Sequence, residues 1–466
     1  MKSPHRVKLL AVVIILCALL TQATPGQVAA PQTPLRLEQV VELAESNYPS
    51  IRVAQAQADA TRENIGLART AYLPRLDLLW QQNRASVNNV FGTLLPQGIL
   101  QSISGPVLGT KSFSSTFGSA GGSLFSWEPF DFGYRKATVD VARDVTKQAE
   151  ASVAVTRLDA ATLAADGFLA LLANEEAVRA AEANLARAQT FADSVHTLVN
   201  NQLRAGADAA RADAELSAAR NQLNRARQTA EVSRAALAEL LGIPGTYVDV
   251  DAGSLMTLPQ DTSVPALNLD SHPLVVAQEA AIETVRARER VLDRSYFPRF
   301  NFQSGLSARG TGAVTNGTFR GGASGLWPDT ANFAVGMSVT FPSFDIFTIR
   351  ARKRVEKGNE GVETARLEQT EQALKGQYAR AQALVDGALR IAQETPNQLK
   401  SAQEAERLTL ERYKYGLATV NDVADVQRLL AQAEIDNAVA RLNVWRALLV
   451  AARLQGDLRP FLLRAK

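Results

Sequence analysis

Residues 71–78 read AYLPRLDL and residues 295–302 read SYFPRFNF, one unusual phrase written twice, 224 residues apart. In each copy a tyrosine and a bulky apolar residue lead into a proline, Pro74 or Pro298. Proline lacks an N–H and disfavours helix at the residue before it, so each copy should end a helix. Beyond it the pattern takes a period of two. Leu76, Leu78 and Trp80 oppose Asp77 and Gln81, and Phe300 and Phe302 alternate with Asn301 and Gln303. The phrase therefore predicts a helix-to-strand junction, twice.

The duplication extends outward from these two points. Pro49 and Pro74 stand 25 residues apart, and so do Pro273 and Pro298. Phe130-Asp131 returns as Phe344-Asp345 at an offset of 214, which also carries Asp208 to Asp422 and Gly242 to Gly456. The fall from 224 to 214 means the second copy lost ten residues between Pro298 and Asp345, a stretch rich in Gly, Ser and Thr, as loops are. A two-fold internal repeat is thus expected, one copy over 35–242 and the other over 269–456. Residues 243–268, with Pro244, Gly245, Pro259 and Pro265, are the linker, and 457–466 form a short tail.

Strands are expected at about 75–86, 117–127, 299–307 and 332–341. The last, NFAVGMSVTF, sets Phe333, Val335, Met337, Val339 and Phe341 against Asn332, Ala334, Gly336, Ser338 and Thr340. Such a strand suits a transmembrane barrel wall, and it equally suits a soluble sandwich. Aromatic residues lie at the strand termini: Tyr72 and Tyr296 where they start, Trp127, Phe130, Phe341 and Phe344 where they finish. Read as lying at both ends of each strand pair, they favour the membrane, because such rings settle at the bilayer–water boundary.

Helices fill the rest. The segment 134–205 holds no proline and one glycine, Gly167; its 72 residues would make a helix about 110 Å long. Helices at 50–73 and 207–241 are half that length or less, so they are expected to stack end to end beside the long one. The second copy repeats the plan at 267–297, 347–415 and 420–455, where Pro396 should kink or break the long helix. Within the last, Val423, Val426, Leu430, Ala433, Asn437, Ala440, Val444 and Ala447 follow coiled-coil spacing. A second stripe through Ile435, Val439, Leu442 and Leu449 implies neighbours on both sides, as in a ring of helices.

The N-terminus reads as an export signal over 1–23: Lys2, Arg6 and Lys8, an apolar run from Leu9 to Leu20, then Thr21-Gln22-Ala23. The run is too short to span a bilayer. The sole cysteine, Cys17, leaves with it. Lys+Arg then falls from 50 to 47 and equals the 47 Asp+Glu, so no case exists for nucleic-acid binding. Three scattered histidines, His5, His196 and His272, make a metal, cofactor or nucleophilic site improbable, and no enzyme is expected.

Taken together, these residues resemble the TolC-type outer-membrane efflux proteins. The resemblance covers nearly all of the chain beyond the signal. It is carried by the opening LRLEQVVELAESNYPSI at 35–51, the paired Y-x-P strand starts, both Gly-marked hairpin tips and the duplicated element order. It implies a mixed α/β membrane protein, with a long α-helical coiled-coil barrel and four transmembrane strands per chain. Three chains would together close a twelve-stranded barrel in the outer membrane, with the helical part in the periplasm.

The implied function is an exit duct of a tripartite efflux or type I secretion system, a homotrimer served by a periplasmic adaptor and an inner-membrane transporter and embedded in outer-membrane lipid. In RYKYGLATVNDVAD at 412–425, Asp422 and Asp425 match the acids that constrict the family's pore, and Tyr413 matches a gate residue. Ala418 stands where some members have a gate arginine. Asp208 is the matching acid of the first copy, although Gly206 is displaced relative to Gly416. Ala205-Gly206-Ala207 and Tyr415-Gly416-Leu417 resemble adaptor-docking tips, and a plain helix–helix turn would need a glycine there too. The rival reading is a periplasmic coiled-coil adaptor or scaffold without a barrel.

Overall fold

The computed structural model describes residues 34–86, 114–314 and 318–465; the expected export signal lies outside them. After α1 (Leu37–Asn47), the order runs α2 (Pro49–Thr70), β1 (Arg75–Ser86), β2 (Ser115–Phe130), α3 (Tyr134–Asn200) and α4 (Gly206–Leu240). A linker leads to α5 (Pro273–Arg294), β3 (Arg299–Thr311), β4 (Thr330–Thr340), α6 (Asp345–Lys414), α7 (Val420–Leu454) and the short α8 (Arg459–Arg464). The protein is mostly helical with one small antiparallel sheet.

The two long helices set its length. At 67 and 70 residues, α3 and α6 each extend for about 100 Å. The short helices flank them: α2 and α4 both pack on α3, while α5 and α7 both pack on α6 and also reach α3. Where two short helices meet end to end, the chain uses the same joint twice. Gly242, at φ 71°, closes α4, and a Cβ there would lie 2.9 Å from the carbonyl oxygen of Asn47, the last residue of α1 and two residues before α2. Gly456, at φ 76°, closes α7, and a Cβ there would lie 2.6 Å from Pro273, the first residue of α5. Both positions need glycine for conformation and for room.

The helix from Asp345 to Lys414 runs unbroken through Pro396, so of the kink or break expected there the break does not occur. Proline costs one backbone hydrogen bond and crowds the preceding turn. Here α7 holds the segment on both sides: Ala392 and Thr395 are buried, and Gln398 bonds Asp436 at 3.2 Å.

The sheet has the order β1-β2-β3-β4, with every neighbour antiparallel. Its register sorts the side chains into two faces. Leu78, Ser123, Leu306 and Phe333 form one row across all four strands, and Leu76, Phe125, Ser304 and Val335 form the next. The opposite face carries Gln81, Ala120, Arg309 and Thr330 in one row and Asp77, Leu124, Gly305 and Ala334 in another. The apolar face is bare: Leu78 is 78% exposed and Phe333 83%. Among the described residues nothing pairs with the outer edges of β1 and β4.

The register also corrects the reading of the aromatic residues. Arg75 at the start of β1 pairs with Ser126 near the end of β2, so strand starts and strand finishes share one edge of the sheet. Tyr72, Trp127, Phe130, Tyr296, Phe341 and Phe344 all lie at this helix-proximal end. They line one boundary, because antiparallel pairing folds each hairpin back on itself. Trp127 donates from Nε1 to the Tyr72 carbonyl at 3.2 Å, and Phe130 joins Phe132, Phe297 and Phe300 in an edge-to-face and stacked cluster. At the far end, Trp80 and Trp327 meet at 5.8 Å, a pairing that sequence reading missed.

Pro74 and Pro298 sit between a short helix and its strand, but α2 stops at Thr70 and α5 at Arg294, four residues before each proline. The junction into α3 is tied by one buried ion pair. Asp131 accepts from Arg135 Nε at 2.7 Å and from the amides of Gly133 and Arg135. Arg135 also donates to the Ala71 carbonyl and lies over the Tyr72 ring, so it clamps the end of the α2 segment to the start of α3. In the second half Asp345 has Ile349 in place of that arginine, and Ile349 is simply buried.

The main core lies midway along α3, where Phe168, Leu169 and Leu172 meet Leu37, Leu241, Trp445 and Phe461. The linker wraps this level: Val250 bridges to Leu35, and Trp445 Nε1 donates to the Thr257 carbonyl at 3.0 Å. His272 closes the second joint. Its Nδ1 accepts the Leu274 amide at 3.2 Å, capping α5, so the neutral ring carries its proton on Nε2. Burial pushes its pKa below the ordinary 6.5; the Arg453 carbonyl and Asp159 pull the other way, and the Arg453 charge adds to the depression. The unfolded chain therefore takes up this proton first, and the stability from the neutral ring is lost as pH falls through about 6.5. We expect the thermal midpoint of the purified protein to drop between pH 7.5 and 5. His272→Asn, which keeps an acceptor at the cap, should flatten that drop, whereas His272→Ala should cost about 1 kcal/mol at pH 7.5.

Candidate functional site: the two helix-hairpin tips

At the ends farthest from the sheet, α3 turns into α4 and α6 into α7. The two turns share one backbone design. After α6, Gly416 takes φ 73°, its amide bonds the Tyr413 carbonyl, and the Leu417 amide reaches back to the Arg412 carbonyl at 2.8 Å. After α3, Gln202 takes φ 60°, its amide bonds the Val199 carbonyl, and the Leu203 amide reaches the Leu198 carbonyl at 2.9 Å. This is the helix stop that a left-handed residue normally makes, built once on glycine and once on glutamine.

Gly206 is therefore not the turn residue of the first tip. It is the first residue of α4, its backbone is not left-handed, and Ala205 is the N-cap. Gln202 and Gly416 are 214 apart, the offset of the surrounding repeat, so the glycine marker itself was misleading. Asp208 and Asp422 then occupy matching places, each the third residue of its return helix.

The tip acids are not free carboxylates. Asp422 forms a capping box: its Oδ2 accepts from the Thr419 amide at 2.7 Å and from Thr419 Oγ1 at 2.9 Å. Those bonds favour the ionised form and hold its pKa below the usual aspartate value. Asp425 is exposed and pairs with Arg428 at 2.5 Å. In the first tip Ala205 replaces Thr419, so Asp208 has no such box.

Tyr413 is buried where the two hairpins meet. Its ring sits edge-on to Phe191 of α3 at 5.1 Å, and the guanidinium of Arg204 lies 4.8 Å above its centroid. Arg204 also donates to the Tyr413 carbonyl at 3.3 Å. An arginine of the first tip thus fastens the second, a link between residues 209 apart that no local pattern reveals. Ala418 fills the small apolar cluster around Tyr413, Val420 and Val423. The Tyr413 hydroxyl is buried without a hydrogen-bond partner among the described residues, and burial, with Asp208 adding to it, pushes its pKa up. Beside it runs a groove of about 770 Å³ lined by Phe191, Leu198, Glu406, Leu410 and Gln427. Arg187 spans the groove to Glu434 through two bonds of 2.9 and 2.8 Å. Ala205, Ala207, Tyr415, Gly416 and Leu417 are exposed at the extreme tips. No cluster of metal-ligating side chains exists among the described residues.

The model of the outer membrane efflux protein family matches the chain over residues 40–243 and again over 264–455. The chain belongs to this family. The pyoverdine export outer membrane protein OpmQ of Pseudomonas putida is 24% identical over 450 residues, covering 91% of this chain and 87% of that one. Among solved structures, CusC superposes with a TM-score of 0.73 at 15% identity, covering 93% of this chain and 97% of that one. The CmeC outer membrane channel of Campylobacter jejuni gives 0.71 at 16% identity, covering 90% and 85%. The chain is thus an efflux protein of the outer membrane, and the rival reading of a barrel-less periplasmic scaffold falls away.

The Arg204–Tyr413 link is testable apart from transport. Arg204→Ala should lower stability by about 1 kcal/mol through loss of the cation–π contact. Tyr413→Phe should cost nothing or raise stability by up to about 1 kcal/mol, because it deletes a buried hydroxyl that has no partner. Denaturation midpoints of the two variants, compared with the parent chain, check both signs.

Proposed function

We propose that three copies of this efflux protein close one twelve-stranded barrel in the outer membrane and continue it as a helical duct through the periplasm. The observation that carries this reading is the sheet: among the described residues it has four strands, one bare apolar face, and two outer edges without partners. In hydrocarbon an unpaired backbone edge costs several kcal/mol per group, so the sheet must be closed by further strands. A second copy supplies them without any new element. The helices agree: Leu384 and Ile391 of α6 are exposed seven residues apart, the spacing of a coiled-coil seam awaiting a partner helix. The aromatic residues at the helix-proximal end of the sheet mark the periplasmic boundary of the bilayer.

The duct performs no chemistry and takes its energy from an inner-membrane transporter through a periplasmic adaptor, which meets the exposed hairpin tips. OpmQ is named for pyoverdine export, which makes a small exported molecule the first cargo class to test here. At the tip, three copies of Asp422 and Asp425 would gather six carboxylates about a narrow mouth and favour cations. Asp425 does so beside Arg428, which moderates its field.

Two outcomes follow from this reading. The purified protein should have the mass of three chains, fractionate with outer membranes, and migrate differently on gels before and after heating; a soluble periplasmic monomer would sink the proposal. In single-channel recordings, Asp425→Ala should weaken block by multivalent cations severalfold. Asp422→Ala should weaken it too while loosening the second tip, since it also removes the capping box, at about 1 kcal/mol. Block unchanged in both variants removes the gate assignment.

A further inference from the structure

Directly beneath the sheet, α3, α5 and α6 enclose a groove of about 400 Å³. Its floor is apolar, with Val141, Val291, Leu292 and Val355, and its rim carries Arg288 and Arg352. Neither arginine forms an ion pair among the described residues, whereas several of their neighbours on these helices do: Arg286 with Glu360, Arg290 with Asp144, Lys353 with Asp293. Tyr134 closes the upper end, and the Arg299 guanidinium, also without an ion pair among the described residues, lies 4.4 Å above its ring. Glu356 is the one acid in the lining, and Asp345 lies two turns above Arg352 on the same helix face.

The sheet register tells which way this groove looks. Arg299 pairs with Thr340 and shares its face with Asn301 and Gln303, the polar side of the sheet. Tyr134 is drawn to that side by the Arg299 contact. The aromatic cluster of Phe130, Phe132, Phe297 and Phe300 holds the other side, the one continuous with the bare apolar face. The Arg288–Arg352 groove therefore opens on the surface that becomes the channel lumen.

We propose that this groove is a binding site for amphipathic organic anions passing through the duct: a carboxylate-type head between Arg288 and Arg352, and an apolar or aromatic body on Val291, Leu292 and Val355. Two planar guanidinium groups that form no ion pair among the described residues suit such a head, Glu356 is the one carboxylate that competes for them, and the apolar floor distinguishes the ligand from an inorganic ion. The site rests on the channel reading for its place in the lumen but not for its chemistry.

The test uses the full-length purified protein with 1-naphthoate, and with uncharged 1-naphthalenemethanol as control. Calorimetry should show one naphthoate site per chain, bound more tightly than the alcohol. Arg288→Gln combined with Arg352→Gln should weaken naphthoate at least about tenfold, or about 1.4 kcal/mol, and leave the alcohol unchanged. Glu356→Gln should strengthen it. In planar bilayers naphthoate should reduce the current of the parent channel and spare the double variant. Equal affinity for parent and double variant, or no preference over the alcohol, overturns the site. Binding without any effect on current overturns its place in the lumen, and a phospholipid that co-purifies with the parent and is lost from the double variant overturns the ligand class. Absence of conducting channels counts against the channel reading alone, because calorimetry still judges the groove.

Discussion

In the proposed membrane wall a backbone N–H or C=O has no water to bond, and this constraint governs the rest of the molecule. The four strands satisfy each other through three ladders and, among the described residues, leave the outer sides of β1 and β4 unpaired. Everything at the helical end accommodates that incomplete wall. The strands must rise and return at one boundary, so all four helix–strand junctions crowd a single edge. There the Asp131–Arg135 pair, the Trp127–Tyr72 bond and the phenylalanine cluster fix the helices to the sheet. The alanine-rich faces of α3 and α7 allow the helices below to approach one another closely.

Much of the architecture was legible because it rests on periodicity. The change from helical spacing to alternation at Pro74 and Pro298 is written locally, and the strand 332–341 read from its pattern is found at Thr330–Thr340. What escaped depends on partners far away in sequence. Whether two aromatic residues lie at the same end of a hairpin is decided by register, and a list of strand termini does not contain it. Pro396 looked like a break because proline's local cost is visible, while the support of α7 on the same segment is not. The tips show the same division: Asp422 stands out as an acid near a turn, but its engagement with Thr419 and the reach of Arg204 to Tyr413 follow only from the folded geometry.

The two halves also differ in how firmly they are fastened. The first ties its helix–strand junction with a buried ion pair and leaves its tip on a left-handed glutamine without a capping box. The second places an isoleucine at the junction and gives its tip both a glycine and a full box. Glutamine at positive φ carries a steric cost that glycine avoids. Each half is thus secured at the end where the other is weaker, and Arg204, crossing from the first tip to Tyr413, lends the first turn the order of the second.

The paired joints at Gly242 and Gly456 carry a mechanical meaning. Both short-helix stacks are interrupted at the level of the main core, while α3 and α6 pass that level intact. From its joint to its tip, α7 is 35 residues long, about 52 Å. A tilt of only about 5° there displaces the tip by about 4–5 Å, more than the width of a water molecule. The interruption makes the lower half a lever whose fulcrum is a glycine against a proline, and whose stiffness is set by how far the two uninterrupted helices will bend.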